Sequence, residues 1–514
     1  MSTVFLRIVI FSLTFLNSVL KIYGRPDNII LILTDDQDLV KTGFISLPMT
    51  RYLIGEHGST FTNAFATTPV CCPSRSSILT GRYLHNHGVL NNSLSGGCAS
   101  EAWTENHEDN GTFAVHLKNR GYNTFYAGKY LNQYGKNGPA VPKGWDWWMG
   151  LEGNSRYQNY TLSVNGTWRD YADRPDDYLT DVMAKSALEF LNQGHVRSEP
   201  FLMVLATPAA HDPFTPAERY KDRFEHVRVP KGKDFNLHNQ GKHWIVQNMP
   251  PHTLSDETIS KIDDIYRNRL KTLLSVDEIV EKIVLKLEKL QILERTHLIF
   301  TSDHGYHLGQ FALPWDKRQP YEFDLRVPFV IRGPGIPKNQ SFPFPVLLTD
   351  LAPTFLQIAG TKDDEADGVS LFNLIEAEKL NRTFLIEFHG EAHSDSVSEN
   401  CPDVYRDRDQ FFQCTLENSC KCQDVRNNTY HCLRHLSDRC DFIFCHFEDD
   451  EDFEEFYDLR SDPLQLENTA SVLPPHHLQF YRKSLHKLKN CKGRDCRELR
   501  KMKVLCPLET QKNK

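Results

Sequence analysis

Four short apolar runs along the chain stop abruptly at residues that carry chemistry. Asn28-Ile-Ile-Leu-Ile-Leu33 runs into Thr34-Asp35-Asp36, and Asn123-Thr-Phe-Tyr-Ala127 runs into Gly128-Lys129. Phe201-Leu-Met-Val-Leu-Ala206 leads to Thr207-Pro208-Ala209-Ala210-His211, and His297-Leu-Ile-Phe300 leads to Thr301-Ser302-Asp303-His304-Gly305. Continuous apolar runs without polar alternation are what strands buried on both faces of a parallel sheet require. In open α/β sheets ligands gather beyond the carboxyl ends of such strands. The four runs therefore predict one sheet edge at which Asp35, Asp36, Lys129, His211, Asp303 and His304 meet.

Between the third and fourth runs, Ile262, Ile265, Leu270, Leu273, Ile279, Ile283, Leu287 and Leu290 recur at helical spacing. They predict one or two covering helices between 262 and 293. A composition shift follows Gly368-Val-Ser-Leu371, and Phe384-Leu-Ile-Glu-Phe388 reads as the first strand of a second region. The acidic run Glu448 to Glu455 is expected to be a solvated face or an edge strand. A length of 514 residues exceeds one comfortable core, so two domains are expected, over 25–378 and 379–514. Hydrophobic content of 40% and charge of 25% are ordinary for a globular protein. A net charge of −8 argues against a global nucleic-acid-binding field. A polyanionic substrate would need a local basic pocket instead.

The amino terminus carries Arg7 and then a mostly apolar run from Ile8 to Leu20. It is too short to span a bilayer and reads as a secretory signal over 1–24, cleaved near Gly24. No later segment reads as a membrane span. Seven N-x-S/T sequons, at Asn91, Asn110, Asn159, Asn165, Asn339, Asn381 and Asn427, fit a glycosylated secretory-pathway protein. Of thirteen cysteines most lie at or beyond Cys401, and setting Cys71 aside leaves an even number. A disulfide-stapled C-terminal region is expected, with Cys420-x-Cys422 belonging to it rather than to a zinc site.

Two local patterns suggest chemistry by themselves. Cys71-Cys72-Pro73-Ser74-Arg75 before Ser76-Ser77-Ile78-Leu79 reads as a helix start, with proline tolerated in the first turn. Cys71 would then face the positive end of a helix, among donors that suit an anion. Adjacent carboxylates at Asp35 and Asp36 repel unless a cation sits between them. With Asp303 and His304 they make a divalent site whose oxygen-rich donors favour Ca²⁺ or Mg²⁺ over zinc.

The run from Cys71 to Arg75, continued by Leu79-Thr80-Gly81-Arg82, resembles the type I sulfatase signature C-x-P-S-R-x-x-x-L-T-G-R. The resemblance implies that Cys71 is oxidised to formylglycine by the formylglycine-generating enzyme, and that the hydrated aldehyde attacks sulfur. It implies one Ca²⁺ held by Asp35, Asp36, Asp303 and His304 with an oxygen of modified Cys71. Many relatives carry Asn where this chain has His304. Arg75 corresponds to the arginine that holds the hydrate, Lys129 and Lys317 to the lysines that contact sulfate, and His211 to the histidine after the third run. A histidine that many members carry two residues after the first lysine is Leu131 here, followed by Asn132. The base for the second chemical step is left open.

The implied fold is α/β and alkaline-phosphatase-like: a large mixed sheet between helices, and a smaller C-terminal α+β domain with an antiparallel sheet. Strings such as Ala127-Gly-Lys-Tyr-Leu-Asn132 and Lys242-His-Trp244 resemble the exo-acting lysosomal sugar sulfatases. They imply, as substrate, 6-sulfated N-acetylglucosamine at the ends of sulfated glycosaminoglycans, in the lysosome or secreted. Cell-surface endosulfatases share several strings but carry a long basic insert that this chain lacks. Two rival functions remain open to the sequence. A phosphatase or phosphodiesterase of the same superfold usually has a Ser or Thr nucleophile and two metals, so the cysteine motif opposes it. A glycan-binding protein with a dead site is opposed by the intact acidic and basic set.

Overall fold

Strands form where the apolar runs lie, and their carboxyl ends finish level with one another. The computed structural model describes residues 25–238, 240–247, 252–377, 379–390, 423 and 426–507. The expected signal segment and Cys401, Cys414, Cys420 and Cys422 lie outside the described residues. The large sheet comprises β1 (Asn28–Thr34), β2 (Ser59–Phe61), β3 (Asn123–Lys129), β4 (Trp147–Leu151), β5 (Tyr160–Val164), β6 (Thr167–Tyr171), β7 (Phe201–Ala206), β8 (Thr296–Ser302), β9 (Phe329–Arg332) and β10 (Gln340–Phe342). Its order is β10-β2-β9-β8-β1-β7-β3-β4-β5-β6. The centre, β8-β1-β7-β3-β4, is parallel. Antiparallel pairs flank it on both sides. Leu33 stands opposite Ala206 on one side and Thr301 on the other, and Ala206 stands opposite Gly128. The residues that follow these positions therefore emerge at one edge.

Side chains of a strand alternate between faces, and β1 feeds two cores. Ile29, Leu31 and Leu33 join one apolar cluster, while Ile30 and Ile32 join the other. The first face is covered by α1 (Cys71–Thr80) and α4 (Leu351–Ile358), the second by α2 (Leu179–Leu191) and α3 (Asp256–Leu290). Each fully buried aliphatic side chain contributes about 1.5–3 kcal/mol of transfer free energy. The covering helix α3 is a single element and starts before Ile262. Ser255 caps it by accepting from Thr258 N at 3.2 Å. Asp256 and Glu257 suit its positive end.

The C-terminal region is an antiparallel meander of β11 (Asn381–Phe388), β12 (Tyr430–Ser437), β13 (Asp441–Phe447) and β14 (Glu454–Asp458). Helix α5 (Pro475–Leu488) lies on it, with Tyr481 packed against Phe442 and Phe456. Cys432–Cys445, Cys440–Cys506 and Cys491–Cys496 are bridged here, and Cys72–Cys98 next to α1.

The acidic run departs from a simple solvated face. Its end does form the edge strand β14, but Glu455 is fully buried. It accepts hydrogen bonds from His243 N at 2.7 Å, Tyr457 Oη at 2.9 Å and Tyr321 Oη at 3.1 Å. Lys242 enters a box of the Phe311, Tyr321 and Tyr457 rings, within 4.1–4.3 Å of their centroids. Tyr430 Oη also donates to the Arg318 carbonyl at 3.1 Å. The small sheet thus grips the loop that carries Lys317.

Candidate active site

Val70 is extended, and Cys71 is the first residue of α1. The helix stops at Gly81, whose φ of 72° is left-handed and whose added Cβ would meet Pro353 at 3.0 Å. Cys71 is buried and is the free cysteine among the described residues, since Cys72 is taken by Cys98. Ser74 Oγ donates to the Asp303 carbonyl, which ties the helix start to the end of β8.

Arg75 joins three strand ends. Its Nε donates to Asp303 Oδ2 at 2.9 Å, its Nη1 to the Lys129 carbonyl at 2.7 Å, and its Nη2 lies 3.5 Å from Asp35 Oδ1. That Nη2 is buried without a hydrogen-bond partner among the described residues. It is a donor free for an oxygen on the neighbouring residue 71 or on a substrate.

Asp36 leaves the strand direction of β1 in a left-handed conformation, φ 62°, which Asp tolerates better than most residues, and its carboxylate and that of Asp35 reach one site. The turn is held by Asp36 N donating to Asp303 Oδ1 at 3.1 Å and by Arg269 Nη2 donating to the Asp36 carbonyl at 2.6 Å. Lys129 Nζ donates to Asp35 Oδ2 at 2.7 Å, and Lys317 Nζ donates to both oxygens of Asp36 at 2.8 and 2.9 Å. His304 Nδ1 donates to the Gly305 carbonyl at 2.9 Å, because a carbonyl can only accept. This turns Nε2 inward, 3.3 Å from Cys71 Sγ and 3.4 Å from Asp36 Oδ1. His211 is arranged likewise, with Nδ1 on the Asp212 carbonyl and Nε2 3.8 Å from Asp36 Oδ2.

Ligand atoms of Asp35, Asp36, Cys71 and His304 all lie within 4.8 Å of one another. Asp303 stands beside them, its Oδ1 3.8 Å from His304 Nε2. Three carboxylates and an imidazole whose lone pair is aimed by a carbonyl fit one hard divalent cation. The electrostatics agree. Burial would raise Asp35 and Asp36, but Lys129 dominates on Asp35 and Lys317 on Asp36, and His211 helps on both, so both sit well below the usual range. Asp303 goes the other way: burial and Asp35 push it up to about 6. Burial lowers His304, yet Asp303, Cys71 and Asp36 raise it to about 9, so ligation there must release a proton. Burial would raise the Cys71 thiol, but Lys129 and Lys317 hold it well below the ordinary thiol value. Side chains so arranged can neutralise a tetrahedral anion and orient it at residue 71.

The structure brings Asp35, Asp36, Cys71, Arg75, Lys129, His211, Asp303, His304 and Lys317 together. Ser155 and Arg269 join them without having been anticipated. Ser155 Oγ donates to Asp35 Oδ2 from the turn after β4; an isolated serine in a polar turn gives no signal. Arg269 does leave one: it is a cation on the apolar stripe of α3, in register with Ile262, Ile265 and Leu273. At the position of the missing histidine, Leu131 is fully buried and Asn132 Nδ2 donates to Asn154 Oδ1 at 3.4 Å. Among the sequons, Asn110, Asn159, Asn165, Asn339 and Asn381 are exposed and Asn427 is half-buried. Asn91 is different: it is buried, and its Oδ1 accepts from Ser93 N and Oγ.

The family model described as Sulfatase matches residues 27–361. N-acetylglucosamine-6-sulfatase of Capra hircus is 43% identical over 486 residues, covering 92% of this chain and 85% of the relative. The human protein of that name is 44% identical over 485 residues, covering 92% and 86%. A solved structure, BT4656 in complex with its substrate D-glucosamine-2-N,6-O-disulfate, superposes with a TM-score of 0.71 at 22% identity, covering 92% of this chain and 99% of that one.

Proposed function

The chain belongs to the sulfatase family, and on that premise we propose that it removes the 6-O-sulfate from terminal N-acetylglucosamine 6-sulfate of heparan and keratan sulfate during glycosaminoglycan breakdown. The observation that carries this reading is the convergence of Lys129, Lys317, Arg75 and three carboxylates on a buried, unbridged Cys71, in a chain that matches N-acetylglucosamine-6-sulfatases over nine-tenths of its length. Its maturation partner is the formylglycine-generating enzyme, its ion is Ca²⁺, and its route is the secretory pathway to the lysosome. Among the described residues no helix is long and apolar enough to cross a membrane.

The formylglycine made from Cys71 and one divalent cation held by Asp35, Asp36, Asp303 and His304 would supply the nucleophile and the positive charge opposite sulfate. The chain's own residues do the rest. Lys129 and Lys317 neutralise the anionic oxygens. Arg75 and Ser74 fix residue 71 against the end of β8. His211, with Nδ1 tied to its own loop, holds a proton on Nε2 for the departing sugar oxygen. Neither Leu131 nor Asn132 can take up a proton, so the base of the second step lies elsewhere in the set.

Two measurements test the reading together. Mass spectrometry of the peptide ending at Arg75 is expected to find an aldehyde at residue 71. Defined saccharides are expected to lose sulfate only from position 6 of a non-reducing terminal N-acetylglucosamine. Full activity with an intact Cys71 thiol overturns the chemistry, and preference for internal sulfates overturns the exo-acting assignment.

A further inference from the structure

Two clefts meet at Asn381, where β11 begins. One, of 580 Å³, has an apolar floor of Phe344, Pro345 and Leu374. The other, of 430 Å³, is floored by Leu380, Met502 and Val504. The catalytic residues lie toward the opposite end of the strand. Glu387 N donates to the Thr67 carbonyl at 2.9 Å, four residues before Cys71. Asn381 and Glu387 are six residues apart on β11, which is roughly 20 Å at ~3.3 Å per residue.

The walls are basic. Lys379, Arg500 and Lys501 line the first cleft and Arg439 and Lys503 the second, against the single carboxylate of Asp438. None of these five cations has an ion-pair partner among the described residues, whereas Arg382, also in the first wall, is taken by Asp350 at 2.6 Å. In a chain of net charge −8 such a group of unpaired cations is a local departure. Arg500 is half-buried with its Nε unpartnered. Burial and the neighbouring Arg382 press its pKa below the ordinary value, so an anion in the cleft would relieve both. The segment that carries three of the cations is pinned: the Arg500 carbonyl accepts from Thr383 N at 3.0 Å, Tyr481 Oη donates to the Leu505 carbonyl at 2.9 Å, and Cys506 is bridged to Cys440.

We propose that this seam is an exosite for the internal stretch of a linear sulfated polysaccharide whose end occupies the catalytic pocket. The inference rests on the reading that the substrate is a sulfated glycan end. Spaced cations meet the sulfates and carboxylates of successive sugars, and the apolar floors take the C–H faces of the rings. A second foothold toward the far end of β11 converts capture of the chain end into a partly intramolecular event. It lowers KM for long chains and leaves the chemical step untouched. The sequon at Asn381 opens on the shared rim, so a glycan there narrows both clefts.

The test compares the wild type with a Lys501→Glu/Lys503→Glu double variant, both exposed positions on the pinned segment, and with Lys379→Glu alone as an independent second variant. Each is assayed on a terminally 6-sulfated disaccharide and on a size-defined heparan-type chain carrying the same end. For the double variant kcat/KM on the chain should fall about fivefold to tenfold, as two reversed surface charges imply, while the disaccharide changes less than twofold. Elution from an immobilised sulfated oligosaccharide should shift to lower salt, and Asn381→Gln should elute later than wild type. Equal losses on both substrates, or no change on either, overturn the exosite. So does duplex DNA that competes as well as a sulfated oligosaccharide of equal charge, since that marks an unselective cationic patch. The two readings fail separately: an inert disaccharide refutes the catalytic assignment, whereas retention on the immobilised oligosaccharide needs no turnover.

Discussion

Replacing Arg269 by methionine should damage catalysis from behind the site, without touching substrate. The guanidinium is fully buried on α3. It donates to the Asp36 carbonyl at 2.6 Å, to the Ala210 carbonyl at 3.1 Å and to Asp38 Oδ1 at 3.2 Å, and it stacks over Tyr306 at 4.2 Å. Asp38 is also served by Thr42 Oγ1 and Thr42 N, so its loss is small. The two carbonyls are left short of a charged donor, at about 1.5–3 kcal/mol each. Methionine keeps most of the volume, so the net cost is about 3–5 kcal/mol. With unfolding entropy of about 2.1 cal/mol/K per residue, a chain this long loses about 1 kcal/mol per degree, and Tm should drop by about 3–5 °C. The larger effect is on rate. The left-handed Asp36 turn has lost its brace, and a displacement of about 1 Å at a catalytic group costs on the order of 100-fold. Arg269→Lys should fall between, because one ammonium cannot span two carbonyls. Calorimetry and turnover of an aryl sulfate measure both quantities. If Arg269→Met keeps kcat within threefold and binds the divalent ion as tightly as wild type, the turn supports itself and the reasoning is wrong.

Cys71→Ser should abolish turnover with Tm unchanged within about 1 °C, since one buried atom is exchanged in place; residual activity above one per cent would argue against an aldehyde nucleophile. Asp303→Asn should lose the divalent ion and activity together, which metal analysis alongside kinetics checks; activity lost with the ion retained would remove Asp303 from the ligand set. Burial lowers His211 but Asp36 more than offsets it, raising its pKa above the ordinary 6.5. It is therefore charged on the acid side, and turnover of sugar sulfates should fall as pH rises through that raised value. His211→Ala should slow sugar sulfates more than an aryl sulfate, and equal slowing would reject it as the leaving-group acid. His85 is lowered by burial but raised by Glu387 to about 9. The stability it contributes is full below an unfolded pKa near 6.5 and is lost as pH rises through about 9; His85→Ala should flatten that slope in urea unfolding, and an unaltered slope would discount the pair.

The strands and their cargo were legible because burial on both faces writes itself as continuous apolar residues, and because Asp, His and Lys stop such runs visibly. Leu33 into Asp35 and Phe300 into Asp303 needed no knowledge of the neighbours. Strand order was not legible: nothing local in Phe201–Ala206 says that it lies between β1 and β3. Partners that act at a distance were equally hidden. Ser155 reaches Asp35 across 120 positions and Arg269 reaches Asp36 across 233, and only three-dimensional closure makes either pair. Glu455 misled for another reason. In a run of acidic residues the one turned inward looks like the rest, and its burial is decided by tyrosines and a backbone N–H donated from residues 243, 321 and 457. The buried amide of Asn91 was likewise invisible, because a sequon records a local pattern and not its exposure.

Glu455 also bears on how damage to this chain should be interpreted. A message cut short after residue 378 would still encode Cys71, Arg75, Lys129, His211, Asp303 and Lys317. The product would leave Tyr321 and the Arg318 carbonyl without their clasps and Lys242 without the Tyr457 wall of its box. It would be an inventory of a catalyst rather than a catalyst. An inherited change in β12 or β14, remote from every reacting atom in the written order of the chain, belongs with active-site lesions when variants of this protein are sorted.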